Sequence, residues 1–139
     1  MGDLSVAACM HEGVVSCAPD TTLDEVAATM RGANVSAIVV VERGVVAGLI
    51  SRTDLVNVAF VQPYLRYWRG MAARHVMSAP IVSVRPQALL GEALELLRAR
   101  RIHRLVVTET GPAGERPVGI LSLSDVLRML GERKDEDGP

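Results

Sequence analysis

The sequence predicts an α/β (α+β) fold of two tandem β-α-β-β-α repeats, packed with pseudo-two-fold symmetry through their small sheets. Three observations carry this. Residues 6–60 recur loosely at 73–131. Each copy gives an extended segment, an amphipathic helix, two β-branched runs and a final helix, in that order. With 49% hydrophobic and 22% charged residues, the 139-residue chain can fill a core and does not read as disordered.

The repeat can be followed residue by residue. At an offset of 67, Met10 falls on Met77, Val15-Ser16 on Val82-Ser83, Pro19 on Pro86, Leu23 on Leu90 and Val39-Val40 on Val106-Val107. After Glu109 the second copy carries four extra residues and the offset becomes 71. Gly48, Ser51 and Asp54 then meet Gly119, Ser122 and Asp125. A repeat this short does not readily bury its own apolar face, so the copies are expected to pack together and to form two pseudo-equivalent clefts. The spacing divides the chain into a first repeat at 1–60, an aromatic connector at 61–72, a second repeat at 73–131 and a flexible tail at 132–139.

In order, Gly13 to Ser16 is extended. Thr22 and Glu25, at capping-box spacing, open a helix that buries Leu23, Val26, Ala27 and Met30 and stops near Gly32. Strands follow at Ala37 to Val41 and Val45 to Ile50, then a helix from about Arg52. In the second copy Ile81 to Val84 is extended between Pro80 and Pro86, and Leu90, Ala93, Leu94 and Leu97 repeat the apolar stripe. Strands follow at Leu105 to Thr108 and Val118 to Leu121, separated by the turn signal Gly111-Pro112-Ala113-Gly114. The last helix begins near Leu123.

Composition narrows the function. A net charge of −1 gives no reason to expect nucleic acid or an anionic membrane as partner. No apolar run approaches the roughly 18–20 residues of a membrane span, and Asp3 with no basic n-region does not read as a signal peptide. The two cysteines, Cys9 and Cys17, lie in one copy, so a reduced cytoplasmic setting is expected rather than a disulfide scaffold. Cys9, His11 and Cys17 match no common zinc spacing and lack a fourth ligand, so no metal is expected. The four aromatic residues, Phe60, Tyr64, Tyr67 and Trp68, all lie between positions 60 and 68. They form either an association surface or a cover for the core.

The candidate chemistry lies in the two Gly-x-x-Ser-x-x-Asp stretches, with a further hydroxyl at Thr53 and Ser124. Glycine near a strand end lets a ligand or a backbone approach closely. A carboxylate at a strand-to-helix junction can accept hydrogen bonds from both hydroxyls of a ribose. The same residues also make an ordinary helix cap. No nucleophile has a paired base, and His11, His75 and His103 occupy unrelated positions, so an enzyme is not expected, nor a catalytic cofactor.

With its paired Val6…Met10 and Ala73…Met77, Pro19 and Pro86, the strands and both Gly-x-x-Ser-x-x-Asp stretches, the chain resembles a tandem pair of cystathionine-β-synthase (CBS) domains, a Bateman module. Ile102-His103-Arg104-Leu105-Val106-Val107 and Gly119-Ile120-Leu121-Ser122-Leu123-Ser124-Asp125 are similar to the last repeat of the AMP-activated protein kinase gamma subunit. The resemblance implies that Asp54 and Asp125 hold ribose hydroxyls, helped by Ser51, Thr53, Ser122 and Ser124, and that Val14-Val15 and Ile81-Val82 contact adenine. It also implies shared clefts, with Asp54 facing Ile81, Val82, His103 and Arg104, and Asp125 facing Val14, Val15 and Ser36. His103 and Arg104 match residues that meet phosphate. They also extend a basic cluster (Arg98, Arg100, Arg101) suited to a helix C-terminus. The first copy departs from the pattern, with Ser36-Ala37 in their place.

The function implied is a regulatory module that senses AMP, ADP, ATP or S-adenosylmethionine, as a homodimer that regulates an enzyme or transporter. The alternative is a ligand-free structural module for dimerisation or docking.

Overall fold

The computed structural model describes residues 4–60 and 66–132. Pro63, Tyr64 and the tail residues 133–139 lie outside them. In chain order the elements are α1 (Val6–Cys9), β1 (His11–Glu12), β2 (Ser16–Cys17), α2 (Leu23–Ala33), β3 (Ala37–Glu42), β4 (Val45–Ser51) and α3 (Arg52–Phe60). After two 3-10 turns (Trp68–Gly70, Ala73–His75) come β5 (Ser83–Val84), α4 (Leu90–Arg100), β6 (Arg104–Gly111), β7 (Gly114–Ser122) and α5 (Leu123–Glu132). No helix among the described residues is long and apolar enough to cross a membrane.

The described residues form two compact units. The first holds 14–60, 66–81 and 111–116; the second holds 4–13, 82–110 and 117–132. In the first unit, Thr22 caps α2, its hydroxyl oxygen accepting the Glu25 N–H at 3.4 Å, and Leu23, Val26 and Met30 face inward at helical spacing while Ala27 is half-buried. Gly32 lies inside this helix. The stop comes at Asn34, in the left-handed conformation (φ 54°), and the Val35 N–H closes back on the Met30 carbonyl at 3.1 Å. The sheet order is β2-β3-β4, with β2 parallel and β4 antiparallel to β3. Arg43 and Gly44, both at positive φ, form the two-residue turn between β3 and β4.

In the second unit the sheet order is β1-β7-β6-β5. Helix α4 repeats the inward stripe with Leu90, Ala93 and Leu97, and ends on a left-handed Arg101. Helix α5 continues through Gly131 and Glu132, just into the segment read as tail.

Each unit has its own core. Leu23, Val26, Met30, Ile38, Val40, Ile50, Leu55 and Ala73 fill the first. Leu90, Ala93, Leu97, Leu105, Val107, Leu121, Val126, Val6 and Cys9 fill the second. The first eight of these pair one for one with the first core at the repeat offsets, so the repeated property is the buried set. Each fully buried Leu, Ile or Val contributes about 1.5–3 kcal/mol over leaving it exposed.

The pairing reveals an exchange. Val6, at the start of the first copy, lies in the second unit, and Ala73, at the start of the second copy, lies in the first. The backbone repeats the pattern. The Val6, Ala7 and Leu90 N–H groups donate to the Ala88, Pro86 and Leu4 carbonyls at 2.8, 2.8 and 2.7 Å. Ala73, Arg74 and Leu23 donate to Thr21, Pro19 and Met71 at 2.8, 3.0 and 2.8 Å. Each copy's opening segment is thus built into the body of the other copy. Helix α1, four residues long, is too short to leave a periodic signal in the sequence.

Candidate functional site

Where β4 runs into α3, the Ser51 N–H donates to Asp54 Oδ2 at 2.8 Å and the Asp54 N–H donates to Ser51 Oγ at 3.1 Å. This is a reciprocal capping box, satisfying backbone donors that a helix start leaves open. At the junction of β7 and α5 the Ser122 and Asp125 N–H groups make the same bonds at 3.0 and 3.1 Å, and the Ser122 hydroxyl also donates to Asp125 Oδ2 at 2.9 Å. Capping therefore takes one carboxylate oxygen, Oδ2, in each copy. Thr53 and Ser124 are exposed beside the two boxes.

The second oxygen distinguishes the copies. Arg128 donates to Asp125 Oδ1 at 2.6 Å. At the matching position of the first copy stands Asn57, and Asp54 Oδ1 has no hydrogen-bond partner among the described residues. Asp54 instead lines a cavity of about 260 Å³ with Asn57, Val58, Met71, His75 and Val76, all within the first unit. Asn57, Met71 and His75 were not read as site residues in the sequence, since none repeats in the second copy. Arg128 was also missed, although its (i, i+3) spacing from Asp125 on a helix was legible.

The repeated glycines have a packing role. A Cβ on Gly48 would lie 2.6 Å from Met77 Sδ and 2.9 Å from the Ser78 carbonyl oxygen. One on Gly119 would lie 2.7 Å from the His11 carbonyl oxygen and 2.9 Å from Met10 Sδ. The close approach is by the exchanged opening segment, paired with β4 through Leu49 and Ser78 and with β7 through β1.

Val14 and Val15 lead into edge strand β2, with the Val15 carbonyl accepting the Val39 N–H at 3.0 Å. Ile81 and Val82 lead into edge strand β5, and Val82 accepts from Val106 at 3.4 Å. An edge strand leaves one row of backbone donors and acceptors outside the ladder. The Ser36 carbonyl accepts the Arg52 N–H at 2.8 Å, and the His103 carbonyl accepts the Leu123 N–H at 3.0 Å. Ser36 and His103 are thus structural equivalents, each beside the first residue of its unit's last helix. The first unit gathers Val14, Val15, Ser36, Ser51, Thr53, Asp54 and Ile81; the second gathers Val82, His103, Arg104, Ser122, Ser124 and Asp125. Among the described residues no cluster of three or more His, Cys, Asp or Glu side chains could hold a metal.

A second cavity of the first unit, about 350 Å³, lies between α2 and α3 and is lined by Met30, Leu55, Phe60 and Trp68 with Arg31 and Arg52 among others. Of the connector aromatics, Phe60 and Tyr67 are exposed and Trp68 is half-buried with the Arg69 guanidinium 5.0 Å from its ring centre. Trp68 packs against the first core, so it covers that core, while Phe60 and Tyr67 remain on the surface.

Comparison with known proteins agrees with this architecture. The CBS domain model matches residues 3–60 and 73–132. A CBS domain-containing protein, YhcV of Bacillus subtilis, is 32% identical over 123 residues, covering 88% of this chain and 82% of that protein. The human 5'-AMP-activated protein kinase subunit gamma-3 is 33% identical over 101 residues, 69% of this chain, and the chain spans only about a fifth (20%) of that subunit. Among solved structures, the CBS domain pair of MJ0100, in complex with 5'-methylthioadenosine and S-adenosyl-L-methionine, superposes with a TM-score of 0.81 at 17% identity, covering 94% of this chain and 98% of that one. CBSX2 in complex with AMP gives 0.76 at 22% identity, covering 92% and 96%.

Proposed function

From the premise that the chain belongs to the CBS-domain family, as a tandem pair, we propose that it is a regulatory module that binds an adenosyl ligand: AMP, ADP, ATP or S-adenosylmethionine. The observation that carries the proposal is the pair of Ser-x-x-Asp helix starts. Each presents a hydroxyl-bearing neighbour and a carboxylate held rigidly by its own cap, and Asp54, which lines a cavity, keeps one oxygen without a partner among the described residues. A carboxylate so fixed is suited to two donors from a ribose, because its orientation is set before the ligand arrives.

The remaining contacts of the proposal are Ser51, Thr53, Ser122 and Ser124 beside the ribose, the backbone around Val14-Val15 and Ile81-Val82 for adenine, and Ser36, His103 and Arg104 toward phosphate. Relatives whose names or complexes carry AMP, 5'-methylthioadenosine and S-adenosylmethionine support the ligand class. Regulation of a partner enzyme or transporter, a cytoplasmic setting and a homodimer belong to the same proposal. Exposed Phe60 and Tyr67 support the dimer, which light scattering at micromolar concentration tests: a clean monomer rejects it.

The alternative, a ligand-free structural module, has one observation in its favour. Both carboxylates already serve as helix caps, and both oxygens of Asp125 are used internally. Calorimetry and thermal shift with AMP, ADP, ATP and S-adenosylmethionine separate the two. A ligand at a hundred times its Kd stabilises the native state by about 2.7 kcal/mol. Silence across the panel from ligand-stripped, folded protein rejects the adenosyl reading and favours the alternative.

A further inference from the structure

The two Ser-x-x-Asp boxes provide an internal comparison. Both use carboxylate Oδ2 for the cap, and they differ three residues on, where Asn57 of the first copy is replaced by Arg128 of the second. One helical turn brings the Arg128 guanidinium onto Asp125 Oδ1 at 2.6 Å. The Asp125 side chain is only 10% exposed and the Arg128 side chain 60%. A ribose hydroxyl that is to donate to Asp125 needs the oxygen that Arg128 holds. At Asp54 the corresponding oxygen has no hydrogen-bond partner among the described residues.

We propose that Arg128 is an internal competitor for ligand at Asp125, and so a residue that makes the two halves unequal toward ribose. This inference rests on the adenosyl-ligand reading above. Ligand fills the Asp54 half first; at the Asp125 half a ribose hydroxyl competes with the Arg128 guanidinium for Oδ1, the oxygen that the cap leaves over. The exposed guanidinium has water to return to, so the pair acts as a weak latch. An ion pair with one exposed partner is worth little in stability, and its competition amounts to roughly three- to tenfold in affinity.

The test is calorimetry on the whole chain with adenosine, which has no phosphate to attract a guanidinium, and with AMP. Asp54→Asn leaves the Asp125 half to be measured. Adding Arg128→Gln, which keeps a good helix former at that position, tightens adenosine at this half by about three- to tenfold. The reciprocal change, Asn57→Arg in the wild-type chain, places a latch on Asp54 and weakens its site by a similar factor. Thermal melting of each variant confirms the fold. Unchanged adenosine affinity after Arg128→Gln overturns the proposal. So does weakened binding, which would make Arg128 a ligand contact, and a loss confined to AMP would make it a phosphate contact. Absence of binding by wild type and every variant removes the adenosyl reading itself and the latch with it. Wild-type binding at both halves with equal affinity removes the latch alone.

Discussion

Met77 lies over Gly48, its Sδ 2.6 Å from where a Cβ on that glycine would stand, and Met10 lies over Gly119 in the same way at 2.9 Å. The methionine of each copy's opening segment therefore meets the glycine of the other copy's strand. Met10 and Met77 recur at the offset of 67, and the glycines they cover, Gly48 and Gly119, recur at 71. The obstructions at 2.9 Å from the Ser78 carbonyl oxygen and 2.7 Å from the His11 carbonyl oxygen are backbone, which cannot turn aside as a thioether can. Gly48→Ala and Gly119→Ala are each expected to destabilise by about 1–3 kcal/mol. Gly32→Ala, on an open face of α2, is expected to stabilise by about 0.5–1 kcal/mol. Urea midpoints for the three variants check the signs.

The exchange of opening segments predicts where a remote substitution is felt. Val6 is fully buried against the core that contains Leu90, Leu105 and Val107. Val6→Ala is expected to cost about 1.5–3 kcal/mol in that unit. Native-state hydrogen exchange should quicken at Leu105 to Val107 while Ile38 to Val40 keep their protection. Faster exchange at Ile38 to Val40 alone would mean that Val6 supports its own copy.

How far the sequence carried the fold can be judged at particular residues. Thr22 with Glu25, and the stripe Leu90-Ala93-Leu97, are local signals at fixed spacing, and the elements they predict are there. Gly32 misled, because a glycine on an exposed helix face is tolerated and the stop depends on the left-handed residue at Asn34. The exchange of Val6 and Ala73 was not legible, since a repeat shows that two segments are alike but not which body each joins. At the site, the spacing of Ser51-Asp54 and Ser122-Asp125 pointed to both a cap and a carboxylate acceptor. The caps are formed; the division of each carboxylate's oxygens between cap, arginine and open cavity needed coordinates.

Cys17 gives a pH dependence with a definite sign. Its half-buried position on β2 pushes the thiol above its ordinary value of 9.0, a hydrogen bond with Thr21 pulling more weakly the other way. The fold thus favours the neutral thiol. Its contribution is fully present below about pH 9 and is lost as pH rises from the unfolded value through the higher folded one. The urea midpoint of the wild type should fall above pH 9 relative to that of Cys17→Ala, with a constant difference between pH 7 and 8.5. A difference that stays constant to pH 10 refutes this.

The two roles of Asp54 can be separated by choice of substituent. Asp54→Ala removes the acceptor for the Ser51 N–H, which costs about 0.5–2 kcal/mol of stability as a lost cap, and it removes the ribose acceptor as well. Asp54→Asn keeps a side-chain oxygen for the Ser51 N–H, so its stability should stay within about 0.5 kcal/mol of wild type. It nevertheless loses the charge, and a hydrogen bond to a charged group is worth about 1.5–3 kcal/mol, so adenosine affinity should fall by at least tenfold. Stability and affinity should therefore fall together in the alanine variant and part company in the asparagine variant. Denaturant titration beside calorimetry reads both quantities on the same protein. If Asp54→Asn binds as tightly as wild type, the carboxylate serves the helix alone, and the ligand, where one binds, is held elsewhere.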